Sequence, residues 1–404
     1  MDSQNIQTVL ALKFEDYGRA PIMEAAVEPI LGKGIFTSDG AEWGRARAMV
    51  KPIFTRSQIT DYSALQNHVD RALALIPRNG EEVDLQPIFK KLYLDVSTEF
   101  LFGESTNTLD SGSAKVDAPC FITAFDQALI SIREGTSWTF FERLRGKKTS
   151  KHKSFDQIQQ LVDIFIAQAE DRGRLEKLES DSHVHLVDEL LYQTNDRQLV
   201  RSQLLNLFAA ARDTAAVAIS DVFFQLARHP DVWLGLRQEV AAIDGPLTFE
   251  LLKSMSYLQN VLRECLRLIG PAGFSQRACL KDSILPTGGG VDGQQPTLVH
   301  RGDMIMMNFQ ALHHDEDFWG ESVEDFRPER WKTARPSWEY IPFLGGPRIC
   351  PAQQMMMGQL SYVLVRFVQE FSSIRNRDPE HKFIEQWKLL CESRNGVKVS
   401  FTTA

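Results

Sequence analysis

Residues 204–226 constrain this chain more than any other stretch. They are apolar on almost every side, so they read as a helix that runs through a core, not along a surface. The middle of this stretch is Ala209-Ala210-Ala211-Arg212-Asp213-Thr214-Ala215-Ala216. Burying an Arg-Asp-Thr triplet costs free energy unless those groups are paired or used. The small alanines leave room beside the helix for a flat cofactor or ligand. Thr214 can bond back to a carbonyl one turn earlier and loosen the helix, which would open a groove there.

Helical patterns dominate the remainder. Helices are expected over 41–54, 61–76, 85–102, 118–133, 155–168, 185–192, 196–227, 230–242, 248–253, 258–268 and 353–371. Strand-like pieces are short, at 302–307 and 397–402, and Thr287-Gly288-Gly289-Gly290 and Pro296 mark turns. The fold class is therefore mainly α with a small β portion. There is no internal repeat, and the 404 residues are read as a single domain. The polar, basic run 145–153 reads as a solvated connector, with contact to an anionic membrane surface as the alternative.

The net charge of −8 argues against nucleic acid as a bulk electrostatic partner, while leaving room for a local basic patch facing an acidic protein. The five cysteines are dispersed and form no C-x-x-C pair, so neither zinc nor a disulfide framework is expected, and a reducing compartment fits. His313 and His314 are read as structural residues in a polar loop. No run approaches the roughly 20 apolar residues of a membrane span. The polar start Met1-Asp2-Ser3-Gln4-Asn5 is not a secretory signal.

One cysteine stands apart. In Phe343-Leu344-Gly345-Gly346-Pro347-Arg348-Ile349-Cys350-Pro351-Ala352, a Gly-rich loop delivers Cys350 to the start of a helix. Gly345 and Gly346 let the backbone turn where a side chain would meet a flat neighbour. Pro351 is tolerable in a first helical turn. The helix N-terminus and the nearby Arg348 both favour thiolate over thiol.

This loop resembles the haem-binding signature of the cytochrome P-450 family, F-x-x-G-x-R-x-C-x-G, at Phe343, Gly346, Arg348 and Cys350, with Ala352 in place of the last Gly. The resemblance implies haem b with Cys350 as the axial thiolate ligand, a chemistry known for this family. Four further motifs occur in the family's order. Ala210 to Thr214 match A/G-G-x-D/E-T, with Ala211 for the usual Gly, which implies proton-steering roles for Asp213 and Thr214. Glu264 and Arg267 match E-x-x-R, and Pro328 to Trp331 match P-E-R-F/W. Together they imply a Glu264–Arg267–Arg330 brace under the cysteine loop. Trp43 and Arg47 match W-x-x-x-R, and Arg277 matches a further propionate-binding position. With Arg348 this implies three arginines for the haem carboxylates.

Substrate contact is expected from 20–35, 121–138, 209–214 and 269–274, segments rich in Phe, Ile, Leu and Ala that suit an apolar small molecule. The loop wording is similar to a fungal branch that hydroxylates alkanes and fatty acids and includes tailoring enzymes of secondary metabolism. The implied activity is a monooxygenase fed by NADPH through a cytochrome P-450 reductase, on the cytoplasmic side of the endoplasmic reticulum. The alternatives are a haem-dependent isomerase or dehydratase acting on peroxides, or a non-catalytic remnant. Eukaryotic members usually begin with a membrane anchor and a small sheet portion, and this chain starts after both. The expected fold is thus the P-450 fold with its first strands missing, whether by truncation, a gene-model boundary or nature.

Overall fold

The computed structural model describes residues 2–55, 59–110, 112, 118–136, 153–175 and 185–403. Among these residues the helices of eight or more residues are α1 (Gly40–Val50), α2 (Ser63–Ala74), α3 (Leu85–Phe102), α4 (Ala118–Thr136), α5 (Lys153–Leu175), α6 (Leu186–Gln193), α7 (Arg197–Arg228), α8 (Pro230–Val240), α9 (Ser256–Ile269) and α10 (Gln353–Glu370). All ten were expected, most with ends displaced by a few residues. The basic run 145–152 lies outside the described residues.

Local chemistry explains the ends. Asp196 caps α7 by accepting from the Gln198 and Leu199 N–H groups at 3.0 and 3.1 Å. His229-Pro230 stops it, because a residue before proline is pushed out of the helical region. Asp84 caps α3 and Gly103, at φ +76°, closes it. At α9 the cap comes from another element: the Glu239 carboxylate accepts from Tyr257 and Leu258 N–H at 2.9 and 2.8 Å.

α7 is the axis of the molecule. It packs along α3 and touches α4's neighbour α5, α6, α9 and α10. Leu226, Phe223, Val222 and Ile219 are buried in one apolar cluster with α3, α9 and α10. Leu204, Leu205 and Phe208 belong to a second cluster with α4 and α5. Removing such side chains from water is worth roughly 1.5–3 kcal/mol each, so the helix is held by burial along its length.

The β portion is larger than the sequence suggested. β1 (Tyr17–Gly18), β3 (Phe274–Cys279) and β6 (Met304–Asn308) form one antiparallel sheet in the order β1-β3-β6. β2 (Val83–Asp84), β10 (Lys398–Thr403) and β7 (Phe371–Asn376) form a second, ordered β2-β10-β7. β4 (Ser283–Gly289) pairs with β5 (Gln295–Val299), and β8 (Glu385–Trp387) with β9 (Cys391–Ser393). Gly288, Gly289 and Pro296, read as turn marks, lie within the strands of the β4–β5 hairpin near its tip, where Gly289 pairs with Gln295, while Gly290 lies in the turn. The expectation for His313 is also corrected. It ends a short helix, Phe309–His313, and is buried at 3% exposure because its ring accepts from the Ile341 N–H at 3.0 Å. No described helix is long and apolar enough to cross a membrane.

Candidate functional site

The loop 343–352 folds back on itself before α10 begins. Cys350 N–H donates to the Phe343 carbonyl at 3.0 Å, and Ile349 N–H to that of Gly346 at 3.1 Å. Leu344 and Gly346 both take positive φ, +63° and +68°. For Leu344 this is a strained conformation that the surrounding structure must enforce. A side chain at Gly346 would overlap the Leu10 carbonyl, and one at Gly345 the Trp338 ring. Protein neighbours alone thus already demand glycine at both positions.

Cys350 is half-buried. Burial pushes its thiol up, opposed by the Ala352 N–H and by Arg47. The cation near the sulfur is therefore Arg47, whose Nη2 donates to the Ile349 carbonyl at 3.1 Å. Arg348, closer in sequence, turns away: its Nη2 meets Asp39 Oδ1 at 2.6 Å and the Ser38 carbonyl at 2.8 Å, and its guanidinium lies over the Trp43 ring, 4.6 Å from the centroid.

Arg348 has company. Arg277, 1% exposed, donates Nη1 to Ser275 Oγ and the Gln276 carbonyl, while its Nε and Nη2 find no partner. Burial pushes it down to about 9, and repulsion from Arg19 and Arg348 adds to that, with Asp39 opposing. The Nε atoms of Arg19 and Arg348 are also buried without partners. Three guanidiniums thus surround one carboxylate, Asp39, and keep donors unspent. Buried donors are rarely left so, which marks a place that suits an anionic group. Arg277 and Arg348 were expected in such a role. Arg19 and Asp39 were missed, since no spacing in the sequence ties them to this place.

On α7, every residue from Ser202 to Ala227 is buried except Ala209, Ala210, Ala211 and Thr214. Thr214 Oγ1 donates to the Ala210 carbonyl at 2.7 Å. The only break in the burial of this stretch falls at the small residues and the hydroxyl. Asp213 is buried, and burial pushes its carboxyl up, with Arg212 and Lys90 opposing. Arg212 Nη1 lies 2.9 Å from Asp213 Oδ1 but out of line for a hydrogen bond, and its guanidinium stacks on the Phe125 ring at 4.7 Å. Near Ala209 a small apolar void of about 10 Å³ is lined by Leu31, Phe125, Leu129, Ile158 and Phe208. Ile30 and Leu31 from 20–35 and Phe125, Ala128, Leu129 and Ile132 from 121–138 come together there, α5 adds Ile158, no residue of 269–274 lines it, and residues 137 and 138 lie outside the described residues.

Glu264, Arg267 and Arg330 come together. The Glu264 carboxylate, 0% exposed, accepts from Arg267 Nε and Nη2 at 3.1 and 2.9 Å and from Arg330 Nε at 2.9 Å. Trp331 Nε1 and the Arg327 N–H complete the set at 3.0 and 3.1 Å. Arg267 spends its other donors on the His313 and Val323 carbonyls. A cavity of about 440 Å³ lies against the cysteine loop, and no residue of α7 lines it. Lys253 and Arg263 line it beside Trp338, Phe343 and Met357.

The cytochrome P450 family matches residues 1–399. The chain is 38% identical over 412 residues to the cytochrome P450 monooxygenase himC of Aspergillus japonicus, covering 98% of this chain and 73% of that one. It is 36% identical over 416 residues to the monooxygenase fsdH of Fusarium heterosporum, covering 99% and 72%. Cytochrome P450 52A5 of Candida maltosa is 38% identical over 396 residues, covering 93% and 74%. Extended along nearly the whole chain, a likeness of this depth shows that the protein belongs to the cytochrome P450 family, as a haem-dependent monooxygenase.

Proposed function

We propose that this chain catalyses insertion of one oxygen atom from dioxygen into a C–H bond of an apolar small molecule, a lipid chain or a fungal secondary metabolite. NADPH supplies two electrons through a flavin reductase, and the second oxygen atom leaves as water. The observation that carries this reading is the break in α7's burial at Ala209, Ala210, Ala211 and Thr214, with the buried Asp213 carboxyl next to that hydroxyl in the chain.

Haem, when bound, supplies the oxidation chemistry. The residues present fit it. Cys350, on its strained loop, would supply the thiolate ligand, and Phe343, Gly346 and Trp43 would shape its surroundings. Arg277, Arg348 and Arg19 would hold the porphyrin carboxylates through their donors without a protein partner, and Arg47 would add its charge beside them. Burial favours the protonated form of the Asp213 carboxyl, against the pull of Arg212 and Lys90. Thr214, bonded to Ala210, keeps its hydroxyl at the opening to hand that proton on and to orient water. Glu264, Arg267 and Arg330 brace the loop that bears the sulfur. The cavity with Lys253 and Arg263 offers positive charge to an acidic reductase. The reductase is read as a membrane partner on the cytoplasmic face of the endoplasmic reticulum.

The test is a reduced carbon-monoxide difference spectrum of the protein and of Cys350→Ser, followed by turnover of dodecanoic acid, hexadecane and a panel of apolar polyketides with NADPH and reductase. A thiolate-type spectrum lost in Cys350→Ser, with NADPH-dependent hydroxylation of one panel class, is expected. Peroxide rearrangement without NADPH would overturn this reading.

A further inference from the structure

Arg212 lies at 0% exposure with two carboxylates in reach. Asp213 is its neighbour on α7, at 2.9 Å, and Asp126 on α4 approaches Nη1 at 3.8 Å. Asp126 is itself the centre of a larger cluster. Its Oδ2 accepts from Lys388 Nζ at 2.7 Å and lies 3.8 Å from Lys90 Nζ. Glu392, 7% exposed at its side chain, closes the ring by meeting Lys90 at 2.8 Å and Lys388 at 2.7 Å. Lys388 stands at the turn between β8 and β9, where it reaches solvent at 18% exposure. Four elements, α3, α4, α7 and the β8–β9 hairpin, thus place charges in one spot. A further acid on α7, Asp221, faces Glu392 with neither oxygen partnered.

The balance of this cluster bears on Asp213. A buried guanidinium must be neutralised by whatever anion is near. With Asp126 in place, two carboxylates share Arg212, and Asp213 is free to carry a proton. Without Asp126, among the described residues only Asp213 remains within ion-pair distance of Arg212, and the guanidinium would hold it as a carboxylate.

We propose that Asp126 is a positioning residue for the monooxygenase reaction: by sharing Arg212 it relaxes that residue's grip on Asp213, and so lets the acid beside Thr214 take up and release a proton. This inference rests on the proton-handling role of Asp213 given above. The group acts through Arg212 and touches neither substrate nor cofactor.

The experiment uses the haem-loaded protein with two readings. One is the infrared carbonyl-stretch band of protonated Asp213, assigned by its loss in Asp213→Asn and read without substrate. The other is the share of oxidised NADPH that ends as hydrogen peroxide, with reductase and dodecanoic acid as the probe. Asp126→Asn is expected to weaken the band and to raise the peroxide share about threefold, a typical size for coupling through a packed network. Asp126→Glu should restore both. Lys388→Met breaks the outer bond of Asp126 without touching Arg212, and should leave both near the parent values. Should Asp126→Asn not fold, Arg212→Gln is expected to strengthen the band, because it removes the grip itself, and a weaker band would overturn the proposal. A parent-like band and peroxide share in Asp126→Asn, while Asp213→Asn still raises peroxide, overturns the positioning role alone. So does an equal rise in Lys388→Met, which would mean that Asp126 merely anchors α4. No rise in Asp213→Asn overturns the acid's role, and the inference falls with it.

Discussion

Two buried carboxylates, each on a core helix and each close to an arginine, are treated in opposite ways by this fold. Glu264 on α9 accepts from five donors supplied by Arg267, Arg330, Trp331 and Arg327. Asp213 on α7 has an arginine at 2.9 Å and still leaves Oδ1 without a hydrogen bond, while burial pushes its carboxyl up. Satisfied acceptors lock a structure, whereas an unsatisfied, desolvated acid keeps two protonation states close in free energy. The difference separates a brace from a proton handler more surely than burial does, since both residues are buried.

The largest expected effect tests the brace. Glu264→Ala leaves two buried arginines without their shared anion, which should cost about 3–5 kcal/mol and abolish haem incorporation, read from the haem-to-protein ratio and from urea unfolding. A variant that takes up full haem breaks the comparison. Next comes the acid. Asp213→Asn should leave the urea midpoint close to that of the parent and lower product formation by roughly 100-fold, the ordinary contribution of a positioned general acid. Equal damage to stability and turnover would make the two carboxylates alike.

Arg277 sharpens the contrast from the ligand side. Its idle Nε and Nη2 predict that Arg277→Met stabilises the haem-free protein and weakens the haem-loaded one, the latter by about 1.5–3 kcal/mol, a charge-assisted bond's worth. Haem transfer to apomyoglobin and unfolding of the haem-free form give the two signs. Loss of stability in both forms would assign Arg277 to the fold alone.

The smallest effects lie in the pH dependence, and the two regions should drift in opposite directions. Burial beside Arg267 pushes His313 down to about 3, so the unfolded chain binds a proton that the folded one refuses. Stability contributed there is lost as pH falls below the ordinary 6.5. Asp221 is pushed well above 3.8 by burial and Glu392, so the folded chain keeps a proton that the unfolded one releases. Stability there falls as pH rises above 3.8. His313→Gln should flatten the acid limb of the unfolding curve, and Asp221→Asn the limb above it. A Asp221→Asn variant whose stability falls with pH as steeply as the parent's would remove Asp221 as the cause.

Much of this molecule was legible because it follows from short-range chemistry. The helix over Leu85–Phe102 matched its expected span, since an Asp cap and a closing Gly bracket an apolar pattern. The Glu264–Arg267 pair was visible because three residues along a helix place both side chains on one face. The β4–β5 hairpin was read as turns because its strands carry glycines and a proline, and only pairing with each other makes them strands. Arg348 was placed beside the sulfur by spacing, but the loop's positive φ angles swing it to Asp39.

The sequence by itself determined the helical class, the position of the cysteine loop and the apolar course of α7, because periodicity, backbone-permissive glycines and hydrophobic content act within a few residues. The tertiary structure alone decided which charges meet. Arg19 joins Arg277 and Arg348 around Asp39, and Asp126 joins Lys90, Arg212, Lys388 and Glu392, from segments far apart in the chain. Electrostatic energy depends on distance and desolvation in the folded state, and neither quantity is written in the order of residues.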